Sequence, residues 1–189
     1  MHQYNTVEDP LCYADSFVLR NLADLRDQVD LDQFEQLMFT TRADEALPKG
    51  ELDYAHYRAL HHHFFQDVYS WAGKIRSIRT GKGTNWFCYP EYIDGEMDRI
   101  FKELADENHL TNGLSVEAFS KRAAYYLAEI NAVHPFREGN GRIQLTFLTI
   151  LAQGAGFSMN EDNLHPEPFI AAMIASFDGE LTELTEQIQ

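Results

Sequence analysis

A chain of 189 residues with 44% hydrophobic and 13% aromatic side chains is long enough to bury a sizeable core, and its aromatic content excludes global disorder. Thirty acidic against 15 basic residues give a formal charge of −15, which repels a phosphate backbone, so nucleic acid is not an expected partner. The two cysteines, Cys12 and Cys88, are too few for a disulfide framework or a thiolate zinc centre. The first residues lack a cationic start and an apolar run, and no stretch approaches the roughly 18 apolar residues of a membrane span. The expectation is a soluble cytoplasmic chain with no membrane partner, non-classical export being the alternative. No repeat or linker divides it, so a single domain over 1–189 is expected.

In chain order, Asp30 with Gln33 three residues on reads as a helix start, and Leu31, Phe34, Leu37 and Met38 repeat at helical spacing until Leu47-Pro48-Lys49-Gly50. Asp53 opens a second helix expected to run to about Trp71, with Tyr57, Leu60, Phe64, Phe65 and Val68 on one stripe and Gly73 at its end. Ile75–Arg79 and Thr84–Cys88 flank the glycine-bearing loop Thr80-Gly81-Lys82-Gly83, which suits a β-hairpin. Pro90 fits the first turn of a helix carrying Ile93, Met97, Ile100, Phe101 and Leu104 inward. Ser115 caps the next, with Phe119, Ala123, Tyr126, Leu127 and Ile130 inward. Asn140–Ala155 and Pro166–Phe177 complete the set. The fold class is all-α, a helical bundle with one β-hairpin. Such a hairpin either closes the surface or acts as a flap whose open edge can receive an extended segment of another protein.

Chemistry concentrates in Ala132-Val133-His134-Pro135-Phe136-Arg137-Glu138-Gly139-Asn140-Gly141-Arg142. Gly139, Asn140 and Gly141 lead straight into an apolar helix, so their N–H groups form an anion hole at its positive end. Arg142, a cation in the first turn, opposes the helix dipole unless an anion is bound, and its guanidinium forks well onto phosphate. Glu138 beside that hole repels phosphate unless a divalent ion such as Mg²⁺ lies between them. His134, kept out of helical geometry by Pro135, titrates near neutrality and is a candidate general base. Phe136 is an apolar anchor for the loop.

His134–Arg142, HPFREGNGR, resembles the signature of the Fic-domain family, written HPFx[DE]GNGRxxR, and Asp67–Arg76 and Lys82–Phe87 are similar to its helix-to-flap junction and flap. The resemblance extends over most of the chain. It implies a Fic helical bundle with a single β-hairpin flap at about 75–88, and a protein adenylyltransferase that moves AMP from ATP to a Ser, Thr or Tyr hydroxyl of a protein substrate. It makes His134 the base, Glu138 the Mg²⁺ ligand, and Gly139, Asn140, Gly141, Arg142, Lys82 and Gly83 the nucleotide-binding residues. One position departs: the family's second arginine, three residues after Arg142, falls on Leu145. Alternatives are therefore phosphoryl or other nucleotidyl transfer on the same scaffold, or a catalytically weakened nucleotide-binding or interaction module. The family's inhibitory pattern [ST]xxxE[GN] is met only in part, by Ser176–Glu180 and Thr41–Glu45, so any inhibitor is expected from a separate, antitoxin-like chain.

His56, His61, His62 and His63 suggest a metal site, but a consecutive run aims its rings in different directions, so they are read as helix-surface and core-edge residues. The row Tyr54, Tyr57, Phe64, Phe65, Tyr69 and Trp71 is read as core. The acidic stretch Asp178–Glu186 is read as a solvated helix face.

Overall fold

The computed structural model describes residues 9–82, 85–159 and 166–189. Helices start where a side-chain oxygen can take up amides that have no partner within the helix. Asp27 does this for α1 (Gln28–Ala43), accepting from the Val29 and Asp30 N–H groups at 2.9 and 3.2 Å. The cap is therefore Asp27 and not Asp30, which sits in the first turn, where its charge suits the dipole. Asp53 caps α2 (Tyr54–Phe65) by accepting from the His56 N–H. A 3₁₀ turn, Pro90–Tyr92, feeds α3 (Ile93–Asp106), and Ser115 caps α4 (Val116–Val133). Then come α5 (Asn140–Gly154), α6 (Pro166–Ala175) and α7 (Thr182–Ile188).

α2 was expected to reach Trp71 and stops at Phe65. The Val68 and Tyr69 N–H groups both return to the Phe65 carbonyl, and the chain coils in turns until Gly73 takes a left-handed φ of 76°. Tyr69 and Trp71 are buried all the same, so apolar spacing here continues without a helical backbone. α6 likewise ends at Ala175, in a 3₁₀ turn over Ser176–Asp178, rather than at Phe177.

α4 is the central element, packed by α3, α5 and α7, while α1 lies on α2 and α2 on α5. The expected stripes of α2, α3 and α4 are buried, and the aromatic row joins the core, Tyr57 stacking on Phe136 and meeting Phe147 edge-on. α7 exposes its acidic residues and buries Leu184 and Ile188. On α1 the inward stripe differs from expectation. Leu37 is exposed, and Glu35 takes a place beside Leu31, Phe34 and Met38 on the side facing α2. Both cysteines are free thiols. Among the described residues no helix is long and apolar enough to cross a membrane.

The hairpin is much smaller than expected. β1 (Gly81–Lys82) pairs antiparallel with β2 (Asn85–Trp86), Gly81 opposite Trp86 and Lys82 opposite Asn85. Gly81 belongs to the strand, where a Cβ would come within 2.7 Å of the Asn85 carbonyl oxygen. The arms expected to be strands, Ile75–Arg79 and the residues up to Cys88, bond to the end of α4 instead. The Arg76 N–H donates to the Pro135 carbonyl at 2.9 Å and the Cys88 N–H to that of Ala132 at 3.1 Å.

Candidate active site

His134 ends α4 in the left-handed region, φ 51° and ψ 65°, its N–H still donating to the Ile130 carbonyl at 2.8 Å. That backbone is costly for a residue with a Cβ and persists only where its surroundings fix it. Arg76 supplies the fixing: its guanidinium, 2% exposed as a residue, donates to the carbonyls of His134 (2.8 Å), Val133 (3.0 Å), Ile78 (2.8 Å) and Cys88 (2.6 Å). The His134 ring is buried and lies flat on Phe87, centroids 3.7 Å apart and planes 4° from parallel. Burial pushes its pKa well below the usual value. The charges of Arg76 and Lys82 push the same way, and a hydrogen bond with the Asn131 backbone opposes them. The imidazole is held neutral, the form that can accept a proton.

The loop beyond is locked from within. The Asn140 amide accepts from the Phe136 N–H at 2.9 Å and donates to the Phe136 carbonyl at 2.8 Å, so the Asn140 side chain shapes the loop and only its backbone N–H is left for an anion. Gly139 has φ 81°, and a Cβ on it would fall 2.3 Å from the Phe65 ring; no other residue fits. A Cβ on Gly141 would meet nothing within 4 Å, which leaves the helix start open to solvent. His61, expected near the surface, is in the core. Gly73 donates to its Nδ1 at 2.9 Å, so Nε2 carries the hydrogen and donates to the Glu138 carbonyl at 3.0 Å. Burial lowers its pKa to about 3. His56, His62 and His63 also bond backbone carbonyls, and among the described residues no group of three or more His, Cys, Asp or Glu is placed to hold a metal ion.

The half-buried Glu138 carboxylate accepts from the Gly139 N–H at 2.9 Å. Burial raises its pKa, and the charge of Glu35 adds to the rise. Arg142, on the first turn of α5, pairs with Glu35 at 2.5 Å, approaches Glu138 at 4.0 Å, and lies over the rings of Phe39 and Phe65. Arg137, to which the sequence assigned no role, is buried and pairs with Asp9 at 2.5 Å, tying the N-terminal segment to the loop. Lys82 on β1 acts electrostatically on both His134 and Glu138, its pKa lowered by burial with Glu138 opposing. His134, Glu138, Gly139–Gly141, Arg142 and Lys82 thus come to one place. Gly83 lies outside the described residues. Sequence reasoning missed Arg76, His61, Tyr69 and Glu35. Only Glu35 left a trace, a carboxylate four residues after Leu31 on an otherwise apolar stripe.

The bundle sets a helix N-terminus, a buried histidine and a carboxylate together beneath a short hairpin. Residues 51–152 match the model of the Fic/DOC family, and the chain belongs to that family. It is 62% identical over 189 residues to the probable protein adenylyltransferase y4lH of Sinorhizobium fredii, covering 100% of this chain and 98% of that one. It is 36% identical over 182 residues to the protein adenylyltransferase VbhT of Bartonella schoenbuchensis, covering 95% of this chain but 38% of VbhT. Among solved structures it resembles the type IV secretion system effector protein BepA (TM-score 0.83, 27% identity, 94% of this chain and 66% of that one). A Bartonella quintana Fic domain with bound ADP shares the fold at TM-score 0.84 and 24% identity, with 94% of this chain and 92% of that one covered.

Proposed function

We propose that this protein is an adenylyltransferase that moves AMP from ATP to a hydroxyl group of a protein substrate. The observation that carries the reading is a buried, neutral His134 set beside the N-terminus of α5, where Glu138, bonded to the Gly139 N–H, and Arg142 flank the Gly139–Gly141 amides and Gly141 is exposed. Relatives that bear the name adenylyltransferase along nearly their whole length support the same activity.

In this reading the amides of the α5 start receive phosphate oxygens, displacing the Glu138 carboxylate from the Gly139 N–H, and Arg142 and Lys82 add positive charge. The substrate hydroxyl oxygen attacks the α-phosphorus. Its bond to the bridging oxygen breaks, pyrophosphate leaves, and His134 takes the hydroxyl proton. Arg76, through four carbonyls, positions His134. The hairpin holds the target segment in reach by strand addition, which makes attack nearly unimolecular. Glu138, a hard oxygen ligand half open to solvent, fits Mg²⁺, which binds through one or two carboxylates together with phosphate oxygens. When bound, the ion would neutralise charge growing on the leaving group.

Leu145 stands where a second arginine would reach the distal phosphates, and it packs against the core, so it gives the γ-phosphate no charge. An inhibitor in trans is part of the proposal. Glu180 of the partial pattern is exposed and lines a groove with Glu117 and Lys121 on the first turns of α4, whereas His134 caps the other end of that 18-residue helix. Incubating the full chain and candidate protein substrates with ATP labelled at the α- or the γ-phosphate tests the activity. Transfer of α-label alone is expected; γ-label on protein, or neither, would overturn it.

A further inference from the structure

Arg142, the cation nearest the anion hole, is already engaged. Its Nη2 pairs with Glu35 Oε1 at 2.5 Å, and Tyr69 donates its hydroxyl to the other Glu35 oxygen, also at 2.5 Å. Glu35 is 12% exposed and Tyr69 is buried, so the carboxylate cannot swing away without leaving the hydroxyl unpaired. Arg142 lies over Phe39 and Phe65, which hold the guanidinium where it is. A tie between α1 and α5 does not require charges, because an apolar pair of similar volume holds two helices as well. What the pair does is electrostatic. Glu35 offsets Arg142 as Asp9 offsets Arg137, and the Arg76 guanidinium is turned to four carbonyls, so beyond the charge of Lys82 a bare polyphosphate at the start of α5 gains little and faces two carboxylates.

We propose that Glu35 is a specificity-determining residue of the phosphate site, offsetting the charge of Arg142 so that nucleotide is taken as its divalent-cation complex and not as the free polyanion. The inference rests on the nucleotide reading of the site. The reach of Glu35 is geometric: Glu35 and Glu138 face the same nitrogen of Arg142, Nη2, at 2.5 and 4.0 Å.

The test is ATP binding to the full chain by calorimetry, once with Mg²⁺ and once with EDTA, for the wild type, Glu35→Gln and Glu35→Asp, with melting temperatures alongside. The wild type should bind ATP about tenfold or more tightly with Mg²⁺ than with EDTA. Glu35→Gln keeps a hydrogen-bond acceptor and removes the charge; its binding in EDTA should tighten about tenfold while its binding with Mg²⁺ changes little, so the ratio collapses. Glu35→Asp keeps the charge and should keep the wild-type ratio. An unchanged ratio in a folded Glu35→Gln, or the same collapse in Glu35→Asp, overturns the proposal. Equal wild-type affinities in the two buffers overturn it without any variant. A wild type that binds no ATP in either buffer overturns the nucleotide reading itself, and this proposal with it.

Discussion

His134 carries the sharpest expectations. His134→Ala should abolish AMP transfer to protein while leaving ATP affinity within about threefold of wild type, because the anion hole is made by backbone amides and Arg142. Undiminished transfer would remove His134 as the base. Because burial holds the imidazole neutral well below its usual 6.5, the acid limb of kcat/KM should lie below pH 6.5, at the lower end of the range open to a histidine base. Phe87→Ala, which uncovers the ring, should move that limb upward. Leu145 is the other decisive residue. Leu145→Arg places a cation one helical turn from Arg142, where a charge-assisted hydrogen bond to a distal phosphate should tighten ATP binding about tenfold. Since Leu145 packs against the core, the melting temperature should fall by a few degrees, roughly the effect of 1 kcal/mol. A folded variant with unchanged ATP affinity would mean that other residues handle the γ-phosphate.

At the scale of elements, the flap behaves as an extension of the end of α4. Its four paired residues could not hold themselves together, and the arms on either side are stitched to the Ala132, Val133, His134 and Pro135 carbonyls by Arg76 and Cys88. Two expectations follow from that construction. The Phe87 N–H donates to the Thr80 carbonyl, so the Trp86 N–H beside it faces away from β1 on the open edge; Trp86→Pro removes that edge donor and should lower transfer to protein about tenfold while ATP affinity stays within about threefold. Equal losses in both would indicate general unfolding rather than lost docking of the target. Arg76→Met leaves four carbonyls without their donor around a left-handed His134. It should cost about 3 kcal/mol or more of stability by urea unfolding and lower kcat more than ATP affinity, since the base loses its position.

For the whole molecule, two buried histidines set the response to acid. His61 and His134 both have pKa values lowered in the folded state, so in the window below 6.5 the unfolded chain binds protons that the native chain does not. Stability is therefore complete above that window and is lost as the pH falls through it, at about 1.4 kcal/mol per pH unit for each group. Urea titrations should show a midpoint that drops between about pH 6.5 and 5, a span to which His61 contributes roughly 2 kcal/mol and His134 adds in the same direction. His61→Gln should lower stability at neutral pH but reduce the slope. The carboxyl of Glu138 works in the opposite sense, its raised pKa favouring the folded state at low pH, and so blunts the loss.

The signature loop was legible because its parts are contiguous. Glycines that open a helix, an arginine in its first turn and a histidine before proline each carry their meaning within a few residues, and the helical stripes of α2 to α5 are local in the same way. The cap of α1 and the end of α2 were misjudged because they depend on which of several nearby oxygens reaches an amide first, as Asp27 does ahead of Asp30. What only the tertiary structure decided is who holds those parts in place. His61 meets Glu138 across 77 residues, Arg76 meets His134 across 58, and Glu35 meets Arg142 across 107. Contacts between residues so far apart leave no spacing to read. The sequence by itself determined the chemistry available at the site, and the packing of α1, α2 and the flap arm around the loop determined its charge balance and the orientation of its base.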